Sequence, residues 1–354
     1  MHEIRAATPD DKERIIAFLV QVWPTSSAES INRRWWWTFE CPPMFVALDS
    51  ASGAVIGMCV YVPFSIHAGQ SVHSAAWFVD FYVLEIHQGK GLGKRLTRAV
   101  MEMNAVTASM SQTDAAWEVF SRIGWNERRF VKLYLNPFGL IPGMQRAIRA
   151  LNASSGSLEI AAHPLPADRN VMGDLDQIWD RCRTLLGPLA VRDAEQINLR
   201  FARRDHHQYN ILVGYRNSIP CGYLVTRVCP ARSLASLKNY RLGDDPIGLI
   251  VDYLVDPGAP DDFAALLDAG CRLLEQDGAR GLLCLSSLPQ FHRILSRRGF
   301  LHADSPVIGR KLSRMNVSFT AYAKDEGNVA ARDDWFLTLG DCDMDRTWGE
   351  SPAW

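Results

Sequence analysis

The chain has 354 residues, 47% of them hydrophobic and 22% charged, enough for about two domains that each bury a core. Its 38 Lys and Arg against 39 Asp and Glu leave a net charge of −1, so there is no basic field to recruit nucleic acid or an acidic membrane surface. Eight cysteines lie scattered, mostly in apolar runs such as GMCVYV and without a C-x-x-C pair, which fits buried thiols better than disulfides or a zinc site. The start, MHEIRAATPDDKERI, lacks a basic and then apolar leader, and no window nears 18 unbroken apolar residues. The expectation is a cytoplasmic protein without membrane insertion.

In chain order, HEIRAA predicts a short strand. Thr8, Pro9 and Asp11 then supply a cap, a first-turn proline and an N3 acid before Ile15, Ile16, Leu19 and Val22 at helical spacing. FVALDSASGAVIGMCVYVPF predicts two strands around a Ser/Gly turn, and AAWFVDFYVL a long strand too apolar to alternate, hence central. EIHQGKGLGKRL follows directly, and Leu96, Ala99, Val100 and Met103 place a helix after its glycines. A strand near Val106 to Met110, a helix over Asp114 to Arg122, the turn Ile123-Gly124-Trp125 and the strand RRFVKLYL close this unit near Pro137. FGLIPGMQRAIRALNASSGSLEI predicts a linker with a short helix.

From about Leu158 the pattern resumes with the helical stretches GDLDQIWDRCRTLL and RDAEQINLRFARR and the strands YNILVGY and CGYLVTRV. IVDYLV at 250–255 echoes FVDFYV at 78–83, and each precedes a helix, a strand, a helix and a Gly-aromatic turn. Asp80 to Trp125 spans 45 positions and Asp252 to Phe300 spans 48, which predicts an internal duplication.

The glycine loop sits where a helix start offers bare N–H groups to an anion. The pattern G-x-x-x-x-G-K-[ST] fails, because Gln88 stands five residues before Gly93 and Arg95 follows Lys94. The pattern G-x-G-x-x-G fails because Gly89, Gly91 and Gly93 give G-x-G-x-G. What remains is Gln88-x-x-Gly91-x-Gly93 between a strand and a helix. With the first strand and helix, the hairpin over residues 45 to 64, WFVDFYVLE and FSRIGW, it resembles the GNAT superfamily of acyl-CoA-dependent N-acyltransferases, best from about Ile4 to Leu135.

The resemblance implies an α/β fold of two tandem GNAT-like domains, each a mixed, mostly antiparallel sheet flanked by helices. Residues 1–138 would bind acyl-CoA, 139–157 would link, and 158–354 would form a degenerate domain that shapes the acceptor cleft. It implies that Gln88, Gly89, Lys90, Gly91, Leu92, Gly93 and Lys94 hold the pyrophosphate of acetyl-CoA or another acyl-CoA, with side chains at 91 or 93 blocking that approach. Backbone groups of Tyr82, Val83 and Leu84 would pair with the pantetheine arm, and no metal is implied. Catalysis would be direct attack of a small-molecule amine, such as an amino sugar or glycan precursor, on the thioester. The Val83 N–H would steady the oxyanion and Asp80 would take the proton.

An aspartate in this strand also suits a hydrogen bond to backbone or an arginine partner, and the matching Asp252 points that way. Phe120 stands where many members of the family carry a tyrosine general acid, and Leu295 is its counterpart. PGAPDD after VDYLVD would repel phosphate, so one CoA site per chain is expected, in a monomer or homodimer. Aminoacyl transfer from tRNA to a peptide or lipid, and a non-catalytic CoA-binding scaffold, are the competing functions; near-neutral charge weighs against the first. Trp35, Trp36 and Trp37 suit either an aromatic wall for a sugar ring or acyl chain, or core packing. Asp341, Asp343 and Asp345 lack the glycine and glutamate of a calcium loop and are expected in a solvated acidic tail. His206-His207 has no third ligand at metal spacing and is expected on the surface.

Overall fold

The computed structural model of the chain describes residues 2–24, 28–29, 31, 43–140, 158–202, 208–231, 234, 244–303, 305, 316–324, 329–342 and 344–345. The first half runs β1 (His2–Ala6), α1 (Lys12–Val22), β2 (Met44–Asp49), β3 (Val55–Ala68), β4 (Ser71–Val83), α2 (Leu92–Met103), β5 (Val106–Met110), α3 (Asp114–Ser121) and β6 (Arg129–Asn136). The second repeats that order as β7 (Glu159–Pro164), α4 (Arg169–Cys182), β8 (Leu189–Ala190), α5 (Ala194–Ile197), β9 (Asn210–Arg216), β10 (Ile219–Pro230), β11 (Pro246–Val255), α6 (Pro260–Gln276), β12 (Gly281–Ser286), α7 (Pro289–Arg297) and β13 (Asn316–Ala323), with β8 and α5 inserted.

Local chemistry explains the elements. Asp11 is buried and ties the start of α1 to β1, accepting two bonds of 2.7 Å from the Arg5 guanidinium and one of 2.9 Å from the Thr8 N–H. The guanidinium holds the Asp11 carboxyl far below the usual carboxylate range. In α2, Leu92, Leu96 and Val100 recur on one face and are buried, each worth roughly 1.5–3 kcal/mol. Both halves end their α3-type helix alike: Gly124 and Gly299 take positive φ (93° and 79°), and the N–H of Trp125 and of Phe300 donates back to Phe120 and to Leu295.

The strands form one sheet in the order β1-β2-β3-β4-β5-β13-β6-β12-β11-β10-β9-β7, with β8 on β3. The two final strands are exchanged. RRFVKLYL, expected to close the first unit, pairs antiparallel with β12 of the second half, and β13 pairs antiparallel with β5 of the first. Strands β13 and β6 then join at the centre. The main hydrophobic cluster crosses the junction, uniting Trp77, Ala108 and Leu133 of the first half with the second half's Leu175, Leu224, Leu266 and Phe319. The repeat marks where one half ends in sequence, while the hydrogen bonding makes each half depend on a strand from the other.

The duplication extends to a defect in the sheet. Opposite the two steps from Cys59 to Tyr61, β4 takes three, from Phe81 to Phe78; opposite the single step from Val225 to Thr226, β11 takes two, from Asp252 to Ile250. One extra residue thus sits at the same place in FVDF and IVDY, a β-bulge beside each aspartate. Just there the parallel neighbour parts: β4 pairs with β5 only up to Phe78, and β11 with β12 only up to Ile250. Each half therefore has a wedge-shaped opening between a bulged strand and its neighbour.

Candidate functional site

In the first half this opening lies beside the glycine loop. Gly89 and Gly91 hold φ of +72° and +79°, a region that favours glycine, and a Cβ on either would meet nothing within 4 Å. The loop is thus open on the side an anion would approach. Gly91 caps α2, and the helical bonding begins with the Arg95 N–H, which donates to the Gly91 carbonyl at 3.2 Å, so the Leu92, Gly93 and Lys94 amides precede it and face outward at the positive end of the dipole. Gly93 has a second role, in packing. A Cβ there would come within 3.0 Å of Phe81 Cζ, so this glycine lets the helix lie close on β4.

Gln88 anchors the loop, its Nε2 donating to the Val83 carbonyl at 3.0 Å. Lys90 Nζ is drawn to the Ile86 carbonyl at 2.9 Å and Arg95 to the His2 carbonyl at 3.1 Å, which gathers positive charge around the amides. The Leu84 N–H donates to Ile56 across β3 at 3.0 Å. By antiparallel alternation Val83, opposite Gly57, turns its own N–H and C=O away from β3, to the side where β5 has parted. Tyr82, next to it, alternates back.

The bulge sorts the side chains. Phe78, Phe81 and Val83 pack on the α2 and α3 side, whereas Tyr82 packs with the α1 cluster, edge-on to Trp23 at 5.3 Å. Asp80 is 5% exposed, and the Tyr82 hydroxyl lies 3.5 Å from its Oδ1, so both face the α1 side of the opening. Phe120 is fully buried, stacked on Trp125 at 4.3 Å and edge-on to Phe78 at 5.3 Å. A phenol at 120 would bury its hydroxyl inside this aromatic stack.

The second half treats the same opening differently, and here the expectation of a solvated acidic tail is overturned. Residues 335–342 are buried, and the Gly340 N–H donates to Val251 O on the parted edge of β11. Thr338 Oγ1 donates to Asp252 Oδ1 at 2.7 Å, Leu337 N–H to Ser287 Oγ at 2.8 Å, and Arg192 bridges Asp252 at 3.0 Å and Asp341 at 2.6 Å. Arg192, Asp252 and Asp341 are at most 1% exposed. Burial works against the Arg192 charge, but the two carboxylates more than restore it and raise its pKa. Asp345 is likewise buried and accepts from the Tyr209 hydroxyl at 2.7 Å. The sequence hid this site because Arg192 and Asp341 stand 149 positions apart.

At the helix start of the second half, Asp256 Oδ1 accepts from the Gly258 N–H at 2.7 Å, and Asp261 and Asp262 fill the first turn of α6. Carboxylates stand where an anion would bind. Trp35, Trp36, Trp37, His206, His207 and Asp343, and the linker beyond residue 140, lie outside the described residues. Among the described residues no group of three His, Cys, Asp or Glu could hold a metal, and no helix is long and apolar enough to cross a membrane. The seven described cysteines form no disulfide; burial pushes the thiols of Cys59, Cys182 and Cys271 up to about 12.

The family model described as acetyltransferase (GNAT) family matches residues 7–125, the stretch from just before α1 to the Gly-Trp turn. No curated protein matches by sequence. Among solved structures, a GCN5-related N-acetyltransferase from Anabaena variabilis aligns with a TM-score of 0.58 at 12% identity, over 92% of this chain and 73% of its own. A probable N-acyltransferase from Enterococcus faecalis gives 0.56 at 8% identity, over 91% and 72%. N-myristoyltransferase from Saccharomyces cerevisiae, solved with bound myristoyl-CoA, gives 0.56 at 11% identity, over 91% and 82%. At these identities the likeness is one of fold, and it spans both halves.

Proposed function

We propose that the first half transfers an acetyl or short acyl group from acyl-CoA to the amine of a small acceptor, with residues 1–138 as the acyl-CoA domain and 158–354 shaping the acceptor cleft. The observation that carries this is the pairing of an open, positive-φ glycine loop at a helix start with a parted strand edge beside it. The amides of Gly89 to Lys94 take the pyrophosphate, and the pantetheine arm lies along the open edge at Val83, in reach of the residues flanking it, Tyr82 and Leu84. The amine nitrogen attacks the thioester carbon, the Val83 N–H steadies the oxyanion, and Asp80 takes the ammonium proton. The C–S bond then breaks, and the thiolate takes its proton from water, because Phe120 has none to give. The local charge around the loop suits a CoA phosphate, whereas the chain's net charge of −1 gives tRNA no footprint.

Thermal shift with acetyl-CoA, followed by thiol release with a panel of amines, tests the reading. Stabilisation and amine-dependent thiol release are expected; no stabilisation would refute it. The buried Phe120 stack favours one competing reading, a CoA-binding scaffold, which stabilisation without turnover by any amine would support.

A further inference from the structure

Asp80 and Val83 stand three residues apart on β4, about 10 Å at the rise of a strand. In acyl transfer at this opening, the amine nitrogen attacks a carbon whose oxygen rests on the Val83 N–H, while its proton ends on Asp80. A proton passes directly only between atoms about 2.6–3.2 Å apart. Tyr82 adjoins Val83 in the chain, shares the α1 face with Asp80, and donates its hydroxyl to Asp80 Oδ1 at 3.5 Å. The phenol therefore stands between the two groups that the reaction must connect.

The two halves bring a phenol to this aspartate from opposite strands. Tyr82 lies opposite Met58 of β3, whereas its counterpart Leu254 lies opposite Tyr223 of β10, so tyrosine and aliphatic residue have changed places across the ladder. Tyr223 is fully buried and donates to Asp252 Oδ2 at 3.1 Å. Burial, and then the Asp252 carboxylate, push its pKa far up, so it keeps its proton, and Arg192 and Thr338 close in the rest of Asp252. In the first half Met58 is buried and brings no hydroxyl, and the phenol sits on the bulged strand itself, half-buried at the opening. Trp23 holds its ring edge-on at 5.3 Å, so packing as well as the carboxylate fixes where the hydroxyl points.

We infer that Tyr82 is a catalytic residue that relays the proton of the attacking amine to Asp80. The inference rests on the acyl-CoA reading above. As the N–C bond forms, an ammonium N–H proton passes to the Tyr82 oxygen while the Tyr82 O–H proton passes to Asp80 Oδ1. The phenol ends as it began, and one proton has moved from nitrogen to carboxylate. The C–S bond breaks with its electron pair on sulfur, and the thiolate takes a proton from water. Asp80 returns its proton to solvent once the product leaves. Tyr223, sealed from solvent beside a carboxylate that Arg192 already holds, has no such task.

The test compares the full chain as wild type, Tyr82→Phe, Asp80→Asn and the double variant. Thiol release from acetyl-CoA is followed with the most active amine of the panel, beside acetyl-CoA calorimetry and urea unfolding. Tyr82→Phe keeps the ring and its Trp23 contact, so acetyl-CoA affinity and the urea midpoint should stay at the wild-type values. Its kcat should fall on the order of a hundredfold, as in Asp80→Asn. Groups that act in series fail together, so the double variant should be no slower than Asp80→Asn alone.

Losses that multiply to about ten-thousandfold in the double variant overturn the relay, because they would make the two groups independent. A wild-type kcat in Tyr82→Phe overturns it too, as does a loss of acetyl-CoA affinity or urea midpoint that accounts for the lost rate. If acetyl-CoA neither stabilises the wild type nor yields thiol with any amine, the acyl-CoA reading and the relay fall together. If the wild type turns over and Tyr82→Phe keeps pace with it, the relay alone falls.

Discussion

The bulged strand of the first half and that of the second carry the same dipeptide, Val79-Asp80 and Val251-Asp252, at the same extra residue, beside the same parting of parallel neighbours. In the second half the opening is filled by residues 335–341, and the aspartate is locked to Arg192 and Thr338. In the first half β5 pairs with β4 only up to Phe78, no described strand takes that side of β4 beyond it, and a glycine loop with outward amides stands beside it. The parting of strands is thus a property of the duplicated fold. What sets the first half apart is the glycine loop and an opening that no segment fills among the described residues, and an aspartate at the bulge can serve either architecture or chemistry depending on what faces it.

That comparison breaks most sharply at the aspartates. Asp252→Asn leaves the buried Arg192 short of a charge, and unfolding in urea should show a loss of about 3–5 kcal/mol. Asp80→Asn should cost less than about 1 kcal/mol while lowering turnover about a hundredfold at unchanged acetyl-CoA binding. Stability losses of equal size at the two positions would make Asp80 a structural residue like its counterpart. Next in size, Gly91→Asp puts a side chain on a +79° residue and a carboxylate at the helix start, and should weaken acetyl-CoA about a hundredfold, or about 2.7 kcal/mol, by calorimetry. An unchanged affinity would remove the loop from the cofactor site.

The repeat was legible because hydrophobic runs and the VD echo are local in sequence, and the elements they predict are present. The strand Asn316–Ala323 went unpredicted although Val317, Phe319 and Ala321 alternate and are buried. Even with that strand assigned, no local pattern says that it pairs with β5, since that register joins residues about 200 positions apart. The acidic tail was misjudged for the same reason: an aspartate reads as solvated until a distant arginine is brought to it. Gly93 shows a subtler limit. The motif shows where its amide would meet a phosphate but not that a side chain there would strike Phe81, a contact set by how closely a helix lies on a strand.

Phe120→Tyr tests whether the first half lacks a general acid by loss or by packing. Its ring is closed in by Trp125, Phe78 and Phe81, so the new hydroxyl should be buried without a partner and cost about 1–3 kcal/mol in urea, with no gain in turnover. A rise in turnover would show that position 120 reaches the leaving thiolate, and that the stack opens when acyl-CoA binds.

The smallest expected effect concerns the joint between the halves. His67, on β3, is 4% exposed, packs edge-on to Trp179 of α4 at 5.7 Å, and its Nδ1 has no hydrogen-bond partner among the described residues. Burial, and then Arg183, push its pKa down. The unfolded chain then binds more protons than the folded one below the ordinary histidine value of about 6.5, so stability is complete above that pH and declines as pH falls toward the lowered folded value. His67→Gln should flatten this decline in the urea midpoint between about pH 7 and pH 5. An unchanged slope would mean that the β3 and α4 surfaces separate readily enough to hydrate the ring, making this joint looser than the exchanged strands that also hold the halves together.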